Sequence, residues 1–154
     1  MKKGFVILGK LVAGVTVLSS MTIFMKKYMS KKSEELERNN EGQKEKKYQI
    51  FMDGKEVKIY QEEVETISIN CCMGGFVLDL TESYIAKDVN IKVQSIMSGG
   101  KIIVPPMVRV VVTGEFSVMS GIANLVPMYE KEEIPTIYIS MKNIMGGFSV
   151  QMQP

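Results

Sequence analysis

The side chains able to do chemistry are few. Three acids, Asp79, Asp88 and Glu115, are candidate carboxylates. Acid–base work needs two such groups held on one site, and no paired-carboxylate spacing, phosphate loop or nucleophile motif accompanies them. Asp79 follows a strand-like run and suits a turn or surface contact. The chain has no His. Ser–His and Cys–His nucleophile pairs and His-ligated metal sites are thereby excluded. Cys71 and Cys72 are adjacent; neighbours on a strand point to opposite faces, so a bridge between them would be strained. No catalytic, cofactor-binding or metal-ligating residue is assigned, and no cofactor is expected. An enzyme is the least favoured function class.

The thirteen methionines are the other chemical feature. Met73, Met97, Met119 and Met145 each stand one or two residues ahead of a glycine. Exposed, such a set makes an adaptable binding stripe or a soft-metal site. Because the spacing tracks a repeat, a stacked column filling the core is the favoured reading.

The repeat is the organising element. Gly74, Gly99, Gly121 and Gly146 mark four corners, spaced 25, 22 and 25 residues apart, in Cys72-Met-Gly-Gly75, Met97-Ser-Gly-Gly100, Met119-Ser-Gly-Ile122 and Ile144-Met-Gly-Gly147. A β-branched run alternating with period two precedes each corner: Glu65–Asn70, Val89–Gln94, Val108–Thr113 and Thr136–Met141. A shorter run follows each: Phe76–Leu80, Lys101–Val104, Ile122–Val126 and Phe148–Gln151. This pattern predicts half-buried strands. One unit is strand, corner, strand and return loop. It cannot bury its apolar face alone, so the units stack, like strand beside like. The glycines suit corners that need positive φ and close approach of backbones. Pro105-Pro106, Pro127 and Pro135 fall between strands, where a missing N–H breaks no ladder. Ahead of the repeats, residues 48–60 carry Asp53-Gly54 between two apolar runs and predict a hairpin that pairs with or covers the first coil.

The elements upstream position this body. Residues 4–25 hold one charge, Lys10, in twenty-two positions and are flanked by Lys2, Lys3, Lys26, Lys27, Lys31 and Lys32. As a helix they span about 33 Å, enough for a hydrocarbon core of about 30 Å. A cleaved signal peptide is the rival reading, but Leu18–Ser20 offers no convincing cleavage site and lysines follow the apolar run directly. Residues 30–47 are highly charged and predict a solvated stalk, helical or disordered, with Asn39-Asn40 and Gly42 ending any helix. Residues 1–47 hold 11 basic and 5 acidic residues, a net of +6; residues 48–154 hold 8 and 12, a net of −4. The mildly acidic body is a poor candidate for nucleic acid. Basic residues nearly tie across the span; the acidic body and unpaired cysteines favour a cytoplasmic body.

The expected organisation is therefore a transmembrane anchor at 1–29, a stalk at 30–47 and a repetitive β domain at 48–154, with the hairpin at 48–60 and about four coils over 64–152. The fold class is all-β, a stacked β-solenoid preceded by one N-terminal transmembrane helix.

Ile96-Met-Ser-Gly-Gly-Lys-Ile-Ile-Val-Pro105, Val108-Arg-Val-Val-Val-Thr-Gly114 and Phe116-Ser-Val-Met-Ser-Gly121 resemble the C-terminal domain of LiaF-type proteins, the cell-wall-active antibiotic response proteins of Gram-positive bacteria. Leu78-Asp-Leu-Thr81 and Ile144-Met-Gly-Gly-Phe-Ser-Val150 match that style, and the likeness covers roughly 64–152. Where that family has Phe before the corner, this chain has Met or Ser, and it has one apolar span rather than several. The resemblance implies a toast-rack β architecture and a non-enzymatic, membrane-bound modulator of an envelope-stress response, with no catalytic motif. The expected partners are membrane lipid through 4–25, a protein such as a membrane sensor or regulator, and further copies of the chain. The alternative is a self-assembling, bactofilin-like membrane scaffold.

Overall fold

A computed structural model describes residues 2–129 and 133–153, with backbone alone for 2–18 and Glu115. One helix, α1 (Lys2–Asn40), precedes eight strands: β1 (Glu45–Phe51), β2 (Gly54–Glu63), β3 (Thr66–Cys72), β4 (Gly75–Tyr84), β5 (Val89–Ile96), β6 (Gly99–Val104), β7 (Arg109–Asn124) and β8 (Thr136–Met152). Every strand pairing is parallel. The sheet runs β1-β3-β5-β8-β6-β4-β2, with β7 on β8. β8 pairs with β5 through its first half and with β6 through its second, so the sheet folds back on itself as a nearly closed, barrel-like solenoid.

Alternation decides what this fold encloses. Ile67, Ile69, Val89, Ile91, Val93, Ile137, Ile139 and Met141 face inward from one wall; Phe76, Leu78, Leu80, Ile102, Val104, Phe148 and Val150 face them from the other. Each of these side chains is almost fully buried. In-register stacking makes columns, such as Ile67–Ile91–Ile139 and Leu78–Ile102–Val150. Each buried aliphatic side chain contributes about 1.5–3 kcal/mol.

Four sequence expectations change. Residues 48–60 are not a hairpin: β1 pairs with β3 and β2 with β4, both parallel, so the segment is itself a coil whose corner is Met52-Asp53-Gly54. There are thus five coils, and the last in sequence is fourth in space. β8 lies between the β5/β6 coil and β7. The physical reason is burial. β8 presents Ile137, Ile139, Met141, Phe148 and Val150, all buried, whereas Val110, Val112 and Ile122 of β7 are only partly so. The more apolar coil takes the place covered on both sides.

The third change is at the corners. Positive φ falls not on glycine but on the methionines: Met52 at 49°, Met73 at 53°, Met97 at 51°, Met119 at 51° and Met145 at 57°. At two corners the glycine is needed for space, whereas a Cβ on Gly54 or Gly121 would meet nothing within 4 Å. A Cβ on Gly74 would lie 2.1 Å from the Asp53 carbonyl oxygen, and one on Gly146 would lie 1.9 Å from that of Ser98. Fourth, these methionines are not core. Met73, Met97, Met119 and Met145 are 44–80% exposed.

α1 extends through the expected stalk and stops at Asn40, with Gly42 at φ 70° turning the chain. Of the expected span over 4–25, the side chains of 4–18 lie outside the described residues. Among the described residues no helix is long and apolar enough to cross a membrane.

Candidate functional site

The structure separates the candidate acids and gives the two described ones structural partners. The Asp79 carboxylate, within β4 rather than in a turn, accepts from the Thr81 amide at 2.9 Å and its hydroxyl at 2.6 Å. The Asp88 carboxylate accepts from the Thr136 amide at 2.9 Å, fastening the start of β8 beside β5. The side chain of Glu115 lies outside the described residues. Among the described residues no group of three or more His, Cys, Asp or Glu could hold a metal ion. Cys71 points inward and Cys72 outward, both free. Burial pushes the Cys71 thiol up, opposed by its hydrogen bond with Ser98.

What the fold does assemble is two unlike ends and one apolar ridge. The β1 end is covered by α1. The Asn40 amide donates to the Lys47 carbonyl at 2.9 Å, and its oxygen accepts from the Lys47 N–H at 2.8 Å. That pair imitates a strand ladder on the outermost coil and satisfies backbone groups that an open edge would expose. Lys46 occupies the inward column ahead of Ile67, nearly fully buried. Its ammonium donates to the Asn40 carbonyl at 3.0 Å and pairs with Glu62. Lys55 pairs with Glu37 from α1. Tyr48 is enclosed beneath the helix; burial, then the nearby Glu37 and Glu62 charges, push its phenol up to about 12.

The β7 end differs. Among the described residues, this 16-residue strand has a ladder on one side only. Its outer surface carries Val111, Phe116 and Val118, all exposed. A long, apolar, unpaired edge is the form in which sheets take additional strands.

The ridge joins the ends. The register Phe51–Cys72–Ile96–Ile144–Val118 is continuous through five coils, and the five methionines follow it one residue later. Met52, Met73 and Met97 each donate their N–H to the next coil, to Cys72, Ile96 and Ile144 carbonyls at 2.8–2.9 Å. Two apolar columns thus run side by side along the corner edge. Within three residues of these methionines the only charges are Asp53, Lys55 and Lys142. The alternation that named the strands also names Ile96 and Ile144 as outward-facing. The positive φ at Met, which exposes the thioethers, left no signal in composition. No family model matches the chain, nor does any curated protein or solved structure.

Proposed function

We propose that the chain is a membrane-anchored, non-enzymatic β-domain protein that binds a protein partner along β7. The partner belongs to the class implied by the likeness to LiaF-type domains, a membrane sensor or regulator of cell-envelope stress. The observation that carries this reading is the asymmetry of the two ends: β1 is closed by α1, while β7 offers an unpaired edge. The anchor is the apolar segment 4–25 with its flanking lysines, and the body lies on the cytoplasmic side.

The scaffold reading draws on the same open edge. A head-to-tail filament needs both ends free, however, and α1 occupies one of them. Photo-crosslinking from position 116 of the full-length protein, in membranes before and after cell-wall antibiotic exposure, tests the choice. An adduct with one other membrane protein, lost in Val111→Glu, supports the partner reading. A ladder of multiples of the chain's own mass supports the scaffold.

A further inference from the structure

We infer that the methionine ridge rests on the lipid surface of the bilayer from which α1 emerges, rather than on a protein or a metal ion. The inference depends on the anchor reading and adds to it the pose of the body. Its first support is the path of α1. Asn40 bonds with Lys47 near the start of β1, Met29 lies against Gln49, with its Sδ 3.9 Å from the amide nitrogen, and Lys26 lines a cleft with Phe51, Asp53 and Gly54. The helix therefore runs antiparallel to β1 and reaches the corner at Lys26. The lengths agree: residues 26–40 rise about 21 Å, and the seven residues of β1 extend roughly 20 Å. The apolar segment 4–25 begins where the body stops. Met21, Ile23, Phe24 and Met25 are exposed on that emerging stretch.

All five corners stack in register beside Met52. The ridge therefore extends sideways from the helix exit by about 19 Å, four steps of about 4.8 Å. If 4–25 stands in the bilayer, Lys26 and Lys27 mark the headgroup level, and the ridge lies at that level. Its chemistry suits the place. Ile96, Met97, Ile144, Met145, Val118, Met119 and Met73 are exposed apolar side chains, and the one acid of the ridge, Asp53, stands at its helix end, in the cleft that Lys26 also lines. Most of the acids near coil ends, Glu62, Glu63, Glu65, Glu82, Asp88 and Glu133, belong to the opposite edge.

The second support is strain. Left-handed φ is adopted at little cost by Gly and Asn and is unfavourable for a long side chain. Five corners nevertheless carry Met there, stacked in one column, whereas away from the corners Gln61 and Met107 adopt it singly. A column of long, flexible, apolar side chains held against backbone preference points to a use for the side chains themselves. The solvent-facing column fits a fluid apolar surface.

The chain has no Trp, so one introduced indole reports its own surroundings. Full-length protein carrying Met97→Trp, Met145→Trp or, on the opposite edge, Ala86→Trp is reconstituted in vesicles of equal phosphatidylcholine and phosphatidylglycerol, with or without acyl-brominated lipid. Emission from positions 97 and 145 should shift to the blue relative to detergent-free urea-unfolded protein and lose most of its intensity with brominated lipid; emission from position 86 should not be quenched. Equal quenching at 97, 145 and 86, or none at 97 and 145 in protein that floats with the vesicles, overturns the inference. Protein that fails to float after alkaline extraction overturns the anchor itself, and the pose with it. The two corner variants guard against misfolding at either one, since a folded β-rich circular dichroism spectrum is required of each.

Discussion

The rings of Phe76 and Phe148 meet across Gly100, with centroids 5.5 Å apart and planes tilted by 40°. The two phenylalanines belong to coils on either side of Gly100, in register with it. Strands two steps apart are separated by roughly 9.6 Å, so the rings must lean toward one another, and the missing side chain is what allows it. Such pairs add about 0.5–1.5 kcal/mol beyond burial.

Gly100→Ala should therefore be destabilising without any backbone argument. Its Cβ would lie 2.8 Å from a ring carbon of each phenylalanine. Overpacking of this kind costs about 1–3 kcal/mol. The loss should shrink when Phe148→Leu is present, because one ring no longer closes the space. Urea unfolding of the four proteins in the cycle measures the coupling; strict additivity would mean the ring closure is not the cause.

At the corners, the expected order of damage is set by carbonyls. Gly146→Ala and Gly74→Ala place a methyl at 1.9 and 2.1 Å from backbone oxygen, so neighbouring coils must separate. Gly99→Ala meets the Gly147 oxygen at 3.2 Å, a contact that a small shift relieves. The first two should lose at least about 3 kcal/mol and Gly99→Ala much less. Melting temperatures decide it; equal losses at all three would point back to a conformational role for glycine.

Much of this architecture was legible in the chain. Alternation in Val89–Gln94 and Thr136–Met141 gave strands and their buried faces, because one-sided burial imposes period two. Coil order was not legible, since it depends on the relative burial of β7 and β8, which emerges only when both compete for one neighbour. Nor was the role of Met, because an αL position one or two residues ahead of glycine mimics a glycine corner. Asp53-Gly54 reads equally well as a hairpin turn and as a solenoid corner; only the pairing partners distinguish them.

The α1 cap makes two opposite predictions. Asn40→Ala removes two hydrogen bonds to the Lys47 backbone and leaves that edge unsatisfied; at about 0.5–1.5 kcal/mol per bond the loss should be about 1–3 kcal/mol. Lys46→Met should be close to neutral or stabilising. It continues the Ile67 column with an apolar side chain, and Glu62, partly exposed, is left to solvent. Limited proteolysis near residues 40–44 should accelerate for Asn40→Ala alone.

Alkali should loosen the same cap. The Tyr48 phenol is raised from an ordinary value near 10 to about 12, so the folded state holds this proton more tightly than the unfolded one. Its contribution is complete below pH 10 and is lost as pH rises through about 12. In Tyr48→Phe that loss is absent. The melting temperature of the parent should fall more steeply than that of the variant across this window, and parallel slopes would show that Tyr48 does not couple the cap to pH.

Strain at the corners predicts stabilisation by a polar residue. Met119 is 80% exposed at φ 51°, so replacing it removes little buried surface. Asn tolerates left-handed φ better than Met because its short amide bonds locally. Met119→Asn should raise stability by up to about 1 kcal/mol, a few degrees in melting temperature for a domain of this size. Met52 is only half-exposed beside α1, so Met52→Asn should gain less. The same change should weaken contact with lipid, a trade between stability and surface function. Melting in detergent is the measurement. A fall in melting temperature for Met119→Asn would mean that the methionine earns its place by packing within the fold, and the strain argument would fail.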